Sequence, residues 1–502
     1  MTDINALPSG YETWWAQVAG HLGGIYPFHD TKLPGQYSLD IGAMIDARRA
    51  CGQNVSLDPV GLVAKATLPY LLGNRTLLQG IQRTPWMSLP VTSDEWLPAP
   101  LPPHGMATPD SGNFVGKLRS ALLDEAQAYV KGARTVGILL SGGMDSRVVA
   151  GVVRALQEES DGAFSVVGLT WGSEPSRDVV YARRITERFG WDCQHYPITA
   201  DTLAANIAYM GRMGAEVSPL HLHAMPEVAC TDGLDVVLAG SYGDSVGRAE
   251  FSGRRVSQLK DVLPSRLDRF GVVRHTALMA AQSVLYKDVA DNPHLDNQTP
   301  IIRRREIEQE MHYMRRMLQS CMLCIAKERR FYQLFTAPTV FGQMWGLDPI
   351  IRDDEWYKRL LPLLPGNLLD IPWARTGRRY DRSDGQPDNY DANYHSYGHW
   401  LRGELREYVL RRVNSNRIRE LDVFNDRGLD LAVHAWGKAD TKTTNSLDEL
   451  VSWLASLHDF LEQYQVSMPD PAFPSGIKDG MRAMRGGLNA RLYVEARERM
   501  RD

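Results

Sequence analysis

Thr135-Val-Gly-Ile-Leu-Leu-Ser141-Gly142-Gly143-Met144-Asp145-Ser146-Arg147 sets the reading of the whole chain. Its first six residues form an apolar run, long enough for a buried strand and too short for a helix. An apolar-periodic helix follows, from Val148 to Gln157. A strand that breaks into two glycines and enters a helix outlines an anion cradle. Adjacent glycines let backbone N–H groups turn toward a ligand without Cβ interference. Ser141 and Ser146 add hydroxyl donors, and a helix N-terminus favours negative charge. Asp145 suits such a place only with a divalent cation between its carboxylate and phosphates, as magnesium sits in nucleotide sites. The plain alternative is a Gly-Gly turn with a helix cap. It does not explain why the strand, the helix and the full Ser-Gly-Gly-x-Asp-Ser string coincide.

Working outward, residues 115–131 have helical spacing, with Val115, Leu118, Leu122 and Ala126 on one face. Strands are expected at Phe164–Trp171, Asp192–Ile198 and Leu234–Ala239, and helices at Asp178–Phe189, 202–213 and 221–231. Alternating strands and helices predict a parallel sheet, with ligands beyond the carboxyl ends of its strands. Loops 141–147 and 240–247 both follow strand ends. Residues 1–110 are rich in turn formers, with Trp14, Trp15, Trp86 and Trp96 among Gly and Pro. Pro98-Ala-Pro-Leu-Pro-Pro103 reads as a stiff extended linker and a boundary. Beyond 260 the patterns are helical, at 303–334, 354–364, 398–413 and 446–464. The end opens with Pro469, Pro471 and Pro474, then turns basic at Arg482, Arg485, Arg491, Arg497 and Arg499. Four segments are therefore expected: 1–110, 111–300, 301–466 and a basic tail at 467–502. There are no internal repeats.

Length and composition bound the function. A chain of 502 residues allows two to four domains, or one large α/β unit with additions. Lys+Arg 56 against Asp+Glu 60 argues against a nucleic-acid coater, which would be basic. The first thirty residues lack a basic start and apolar run, and nothing approaches eighteen uninterrupted apolar residues, so neither signal peptide nor membrane span is expected. Five scattered cysteines do not make a disulfide framework, so a reducing cytoplasmic setting is expected.

Leu139-Leu-Ser-Gly-Gly-Met-Asp-Ser-Arg147 resembles the pyrophosphate loop of N-type ATP pyrophosphatases, and within them the synthetase domain of asparagine synthetase-like enzymes. These include β-lactam synthetases and lasso-peptide cyclases. Asp178, with Ala182 after it, looks like the family's segment beyond the second strand. Leu238-Ala-Gly240-Ser-Tyr-Gly-Asp244 resembles its second acidic loop. The resemblance covers residues 55–460, with sharp motifs only at 139–147 and 238–247. It implies an α/β parallel-sheet, PP-loop synthetase domain with a helical subdomain and a small N-terminal remnant. It implies ATP and Mg2+ as cofactors, and an AMP-forming ligase that adenylates a carboxylate for attack by an amine or ammonia. Ser141, Gly142, Gly143, Asp145 and Ser146 would hold the nucleotide, with Leu139, Gly168 and Gly240 beside them. Asp145 and Asp244 would hold the metal. Arg375 and Arg378, in Ile371-Pro-Trp-Ala-Arg375-Thr-Gly-Arg378-Arg379, are the nearest match to the family's late basic group, since arginine's fork suits phosphate. Lys438 and Lys442 are weaker candidates. Arg248, Arg254 and Arg255 follow Asp244 and suit an anionic group or a solvated face equally well.

Two departures shape the expected function. Glutaminase-bearing members carry a cysteine after the initiator methionine; here that residue is Thr2. Leu57-Asp58 and Gly73–Gln82 resemble only the distal end of that domain. Nitrogen must then come from free ammonia, a separate glutaminase or carrier partner, or an amine of a small-molecule or peptide substrate. The second loop also reads Asp244-Ser245 where asparagine synthetases have Asp-Glu, and Ser241 stands three before the aspartate. Tyr242 is the catalytic candidate for removing the amine's proton if the loop shifts, with core packing as its alternative. Two other functions stay open: adenylation of a nucleobase or tRNA, and nucleotide binding without catalysis. Cys321-Met-Leu-Cys324, alone in an apolar helix, reads as core, because zinc needs a second pair. His221 and His223 fall on opposite faces of a strand or splay on a helix, His395 and His399 could share a helix face but lack a third metal ligand, and the Trp and Tyr residues of 394–400 read as packing.

Overall fold

Thr135–Leu139 (β1) is the middle strand of a five-stranded parallel sheet. The computed structural model describes residues 14–92, 95–105, 113–246, 259, 261–382, 385–440, 444–470 and 473–499. Helix α1 (Phe114–Val130) precedes β1, and α2 (Met144–Glu159) follows it. Then come β2 (Ser165–Trp171), α3 (Arg177–Phe189), β3 (Asp192–Tyr196), β4 (Val236–Ala239) and β5 (Arg330–Gln333). The strand order is β5-β4-β1-β2-β3. All four residues of β4 and four of β1's five are buried, which is why both read as unbroken apolar runs. β1 pairs with β2 on one side (Ile138 opposite Gly168) and with β4 on the other (Val136 opposite Val236). The chain runs from β1 outward to β2 and β3 and then crosses back to β4 on the other side of β1, so a crevice opens at the carboxyl ends of β1 and β4. Loops 141–147 and 240–246 meet there.

Strand β5 departs from the expected helix over 303–334. The segment is a helix at Ile301–Glu308, a π-helical turn at Gln309–Met314 and a helix again at Arg315–Glu328. It then becomes a parallel edge strand, with Arg330 opposite Val236 and Gln333 opposite Ala239. No glycine or proline stands between Ile301 and Ala337, so the sequence carries no punctuation where the helix ends. Four residues cannot display an alternation that outweighs the helical period before them.

The N-terminal region packs directly on this unit. Phe28–Asp30 pairs antiparallel with both Tyr37–Ser38 and Ile81–Arg83. Arg83 bonds Glu216 at 2.7 Å, and Arg316 reaches the same carboxylate at 3.1 Å. The proline-rich run is docked as well. Ala99 donates to Met87 O at 2.7 Å, and a Cβ on Gly342 would lie 2.9 Å from Pro102. At the far end, Ile477–Arg499 is a helix whose Ala483, Gly486, Ala490 and Val494 are buried. Arg482 in its second turn bonds Asp268. Among the described residues no helix is long and apolar enough to cross a membrane.

Candidate active site

The loop after β1 is held from inside and from behind. Gly143 caps α2 in extended conformation (φ −76°, ψ 161°) and donates to Ser141 Oγ at 3.1 Å. Ser146 Oγ lies 3.1 Å from Ser141 O and 3.2 Å from Gly143 O. Gly142 N donates to Asp178 Oδ1 at 3.1 Å. Burial raises the Asp178 carboxyl above its usual range, opposed by that backbone bond and by Arg147. A Cβ on Gly142 would meet Ala374 Cβ at 2.6 Å, so only glycine admits the 373–375 loop.

Arg147 ties that loop down. Its guanidinium is fully buried and donates to Leu368 O at 3.0 Å, to Gly142 O at 3.1 Å, and to Ile371 O and Pro372 O. Ala374 N completes the join by donating to Gly142 O at 3.1 Å. Burial lowers the Arg147 pKa to about 9, which leaves it a cation at neutral pH. The sequence contains Arg147 within its sharpest motif, but nothing local signals contacts more than two hundred residues away.

The second loop packs its glycines against Asp145 of the first. A Cβ on Gly240 would lie 2.7 Å from the Asp145 backbone, and one on Gly243 would lie 2.5 Å from Asp145 Oδ1. Gly240 and Gly243 therefore let the Asp145 carboxylate pack against the loop that carries Asp244. Tyr242 points elsewhere. It is 2% exposed with φ 73°, and a Cβ on Gly23 would lie 2.6 Å from its ring. Burial, with Glu310 and Tyr26 nearby, raises its hydroxyl pKa far above the ordinary value. The structure thus corrects the placement expected of Tyr242 as a catalytic residue, because the left-handed turn drives its ring into the core.

A cavity of about 270 Å³ opens between these loops. Gly143, Asp178 and Asp244 form one side, and Trp373, Ala374 and Arg375 another. The third wall is Ala392 to His395, of which Tyr394 belongs to the aromatics expected to serve packing. Arg375 stands 5.6 Å from the Trp373 ring centroid. Arg378 is not among the lining residues; its carbonyl accepts from Trp373 N at 2.7 Å, so it shapes the turn. Leu139 and Gly168 also lie off the cavity. Leu139 is 5% exposed at the end of β1. Gly168 is mid-strand, where a Cβ would meet Thr186 Cγ2 at 2.4 Å, so it makes room for α3. Thr2, Arg248, Arg254, Arg255 and Lys442 lie outside the described residues.

Residues 117–328 match the asparagine synthase family model. This segment is similar to asparagine synthase. That family consists of ATP-dependent amide ligases, and the match runs from α1 to just before β5. No curated protein matches the chain significantly. Among the described residues no group of three or more His, Cys, Asp and Glu side chains forms a metal cage. Magnesium does not need one, since it is held by one or two carboxylates with substrate phosphates and water. Asp145 and Asp244 on two touching loops, above the N-terminus of α2, fit that requirement. The discounted cysteines are core: burial raises Cys321 to about 12 and Cys324 further.

Asp178 allows a test of how the loop is held. Its folded pKa is raised, so the folded protein keeps the proton longer than the unfolded chain. Its contribution to stability is therefore lost as pH rises from the ordinary carboxylate range through the folded pKa. Asp178→Asn keeps an acceptor for Gly142 N and removes that ionisation. Its stability relative to the native protein is expected to improve from pH 4 to pH 7 in denaturant titrations; an unchanged difference across that range refutes this account.

Proposed function

We propose that this chain is an ATP-dependent, AMP-forming amide ligase that activates a carboxylate as its acyl-adenylate and passes the acyl group to an amine or ammonia. The observation that supports it best is that Gly143 of the 141–146 loop, Asp244 and Arg375 line one cavity at the carboxyl edge of the sheet. An amine and a carboxylate form a salt, and hydroxide leaves poorly; adenylation supplies a better leaving group. The hydroxyls of Ser141 and Ser146, beside the N-terminus of α2, cradle pyrophosphate as it departs, while Gly142 N and Gly143 N hold the loop in shape. Magnesium, when bound by Asp145 and Asp244, offsets the charge of the phosphates. Arg375 meets the negative charge that develops across the cavity. The cavity is smaller than the roughly 300–1,000 Å³ of most small-molecule sites.

In this reading nitrogen comes from ammonia, from a partner glutaminase or from the substrate's own amine. Incubation with ATP, magnesium, ammonium chloride and a panel of amino acids and dicarboxylic acids is expected to yield AMP and pyrophosphate in equal amounts. Formation of ADP and phosphate instead overturns the reading.

A further inference from the structure

Acyl transfer from an adenylate needs a group to take the proton of the attacking nitrogen. Tyr242 faces the core and cannot serve. Among the described lining side chains, Asp178, Asp244 and His395 can accept a proton. Asp178 is occupied by Gly142 N, and Asp244 is committed to the metal in the proposed reaction. His395 remains.

His395 is held like a catalytic group. Its ring stacks on Tyr397 at 3.9 Å and 13°, and Tyr394 meets it edge-on at 4.7 Å. Tyr397 OH is in turn 3.1 Å from His223 Nδ1. His223 sits at φ 50°, a strained position for a non-glycine residue, with its carbonyl held by Asn206 Nδ2 at 2.7 Å. His395 Nδ1 is buried without a hydrogen-bond partner, although structural histidines usually have one. Burial lowers its pKa to about 4, so the imidazole is neutral at neutral pH and one ring nitrogen has a free lone pair. The negative adenylate phosphate in the same cavity would strengthen it as a base.

Building on the amide-ligase reading, we propose that His395 is the catalytic base of acyl transfer, the group that deprotonates the nitrogen nucleophile. The nitrogen lone pair forms the C–N bond to the acyl carbon. The bond from that carbon to the phosphate oxygen breaks with its electron pair going to AMP. The N–H proton passes to the imidazole.

The two half-reactions separate this role from others. ATP–pyrophosphate exchange reports adenylation and requires no amine; amide release with ammonium chloride reports transfer. His395→Gln is expected to keep exchange within about threefold and to lose at least about a hundredfold in amide release. In His395→Ala, added imidazole is expected to restore part of the transfer rate. Amide release at the native rate overturns the proposal, as does a parallel loss of both half-reactions without imidazole rescue. If one variant fails to fold, His395→Asn gives the same comparison. Absence of exchange by the native enzyme with every acid tested refutes the ligase reading instead, and this proposal with it.

Discussion

Asp145→Asn is expected to slow ATP-dependent adenylation by at least about a thousandfold while leaving the fold as stable as before, or more so. Asparagine keeps the shape that packs against Gly243, where a Cβ would stand only 2.5 Å from Oδ1. What disappears is a negative charge in a site built for anions. A single preorganised donor is worth about a hundred- to a thousandfold in rate, and a carboxylate that holds a phosphate-bound cation contributes at least that much. The carboxylate is pressed against Gly243, the chain neighbour of Asp244. Removing such a charge trades activity for stability. Gly243→Ala provides the geometric counterpart: the charge stays and is pushed aside, so activity should fall comparably. AMP formation and thermal unfolding of both variants check this. An Asp145→Asn enzyme with native turnover would refute the metal role.

The parallel sheet was legible because β1, β2 and β4 are short apolar runs, and the polar β3 is short and set off by the helices around it. β1, β2, β3 and β4 each stand between helices of clear period, and the glycines after β1 mark its end. β5 was hidden because Glu328-Arg-Arg-Phe-Tyr-Gln carries neither glycine nor proline after a long helix. The same contrast holds at the site. Ser141 to Ser146 and Asp244 are contiguous with strand ends, so local chemistry points to them. Asn393, Tyr394 and His395 reach the cavity only because a distant segment folds back: Ser173 N donates to Tyr394 O at 2.9 Å and Arg177 N to Asp391 O at 2.8 Å. Periodicity does not encode contacts of that range. Tyr242 shows the limit from the other side, since its neighbours in sequence suggested chemistry and its backbone turn sends it inward.

Arg147→Ala is expected to cost about 3–5 kcal/mol, the usual loss when one side of a buried charged hydrogen-bond set is removed. The guanidinium bridges four carbonyls from two distant parts of the chain, at Gly142 and at Leu368, Ile371 and Pro372. Without it those carbonyls face one another in a dry interior, and water cannot enter without opening the join. A melting temperature lower by roughly 10 °C follows for a unit the size of the matched domain. Arg147→Lys should recover little, because an ammonium is a compact point charge and cannot span the same four acceptors. The functional loss should exceed the stability loss at temperatures where the variant is still folded. Ala374 N and Arg375 are placed by the strand-like turn that Arg147 anchors, so the 371–379 segment should become sensitive to protease and the KM for ATP should rise. Calorimetry with limited proteolysis checks both halves. A variant that melts as the native protein does, with 371–379 still protected, would mean that the backbone bond from Ala374 to Gly142 suffices to hold the loop.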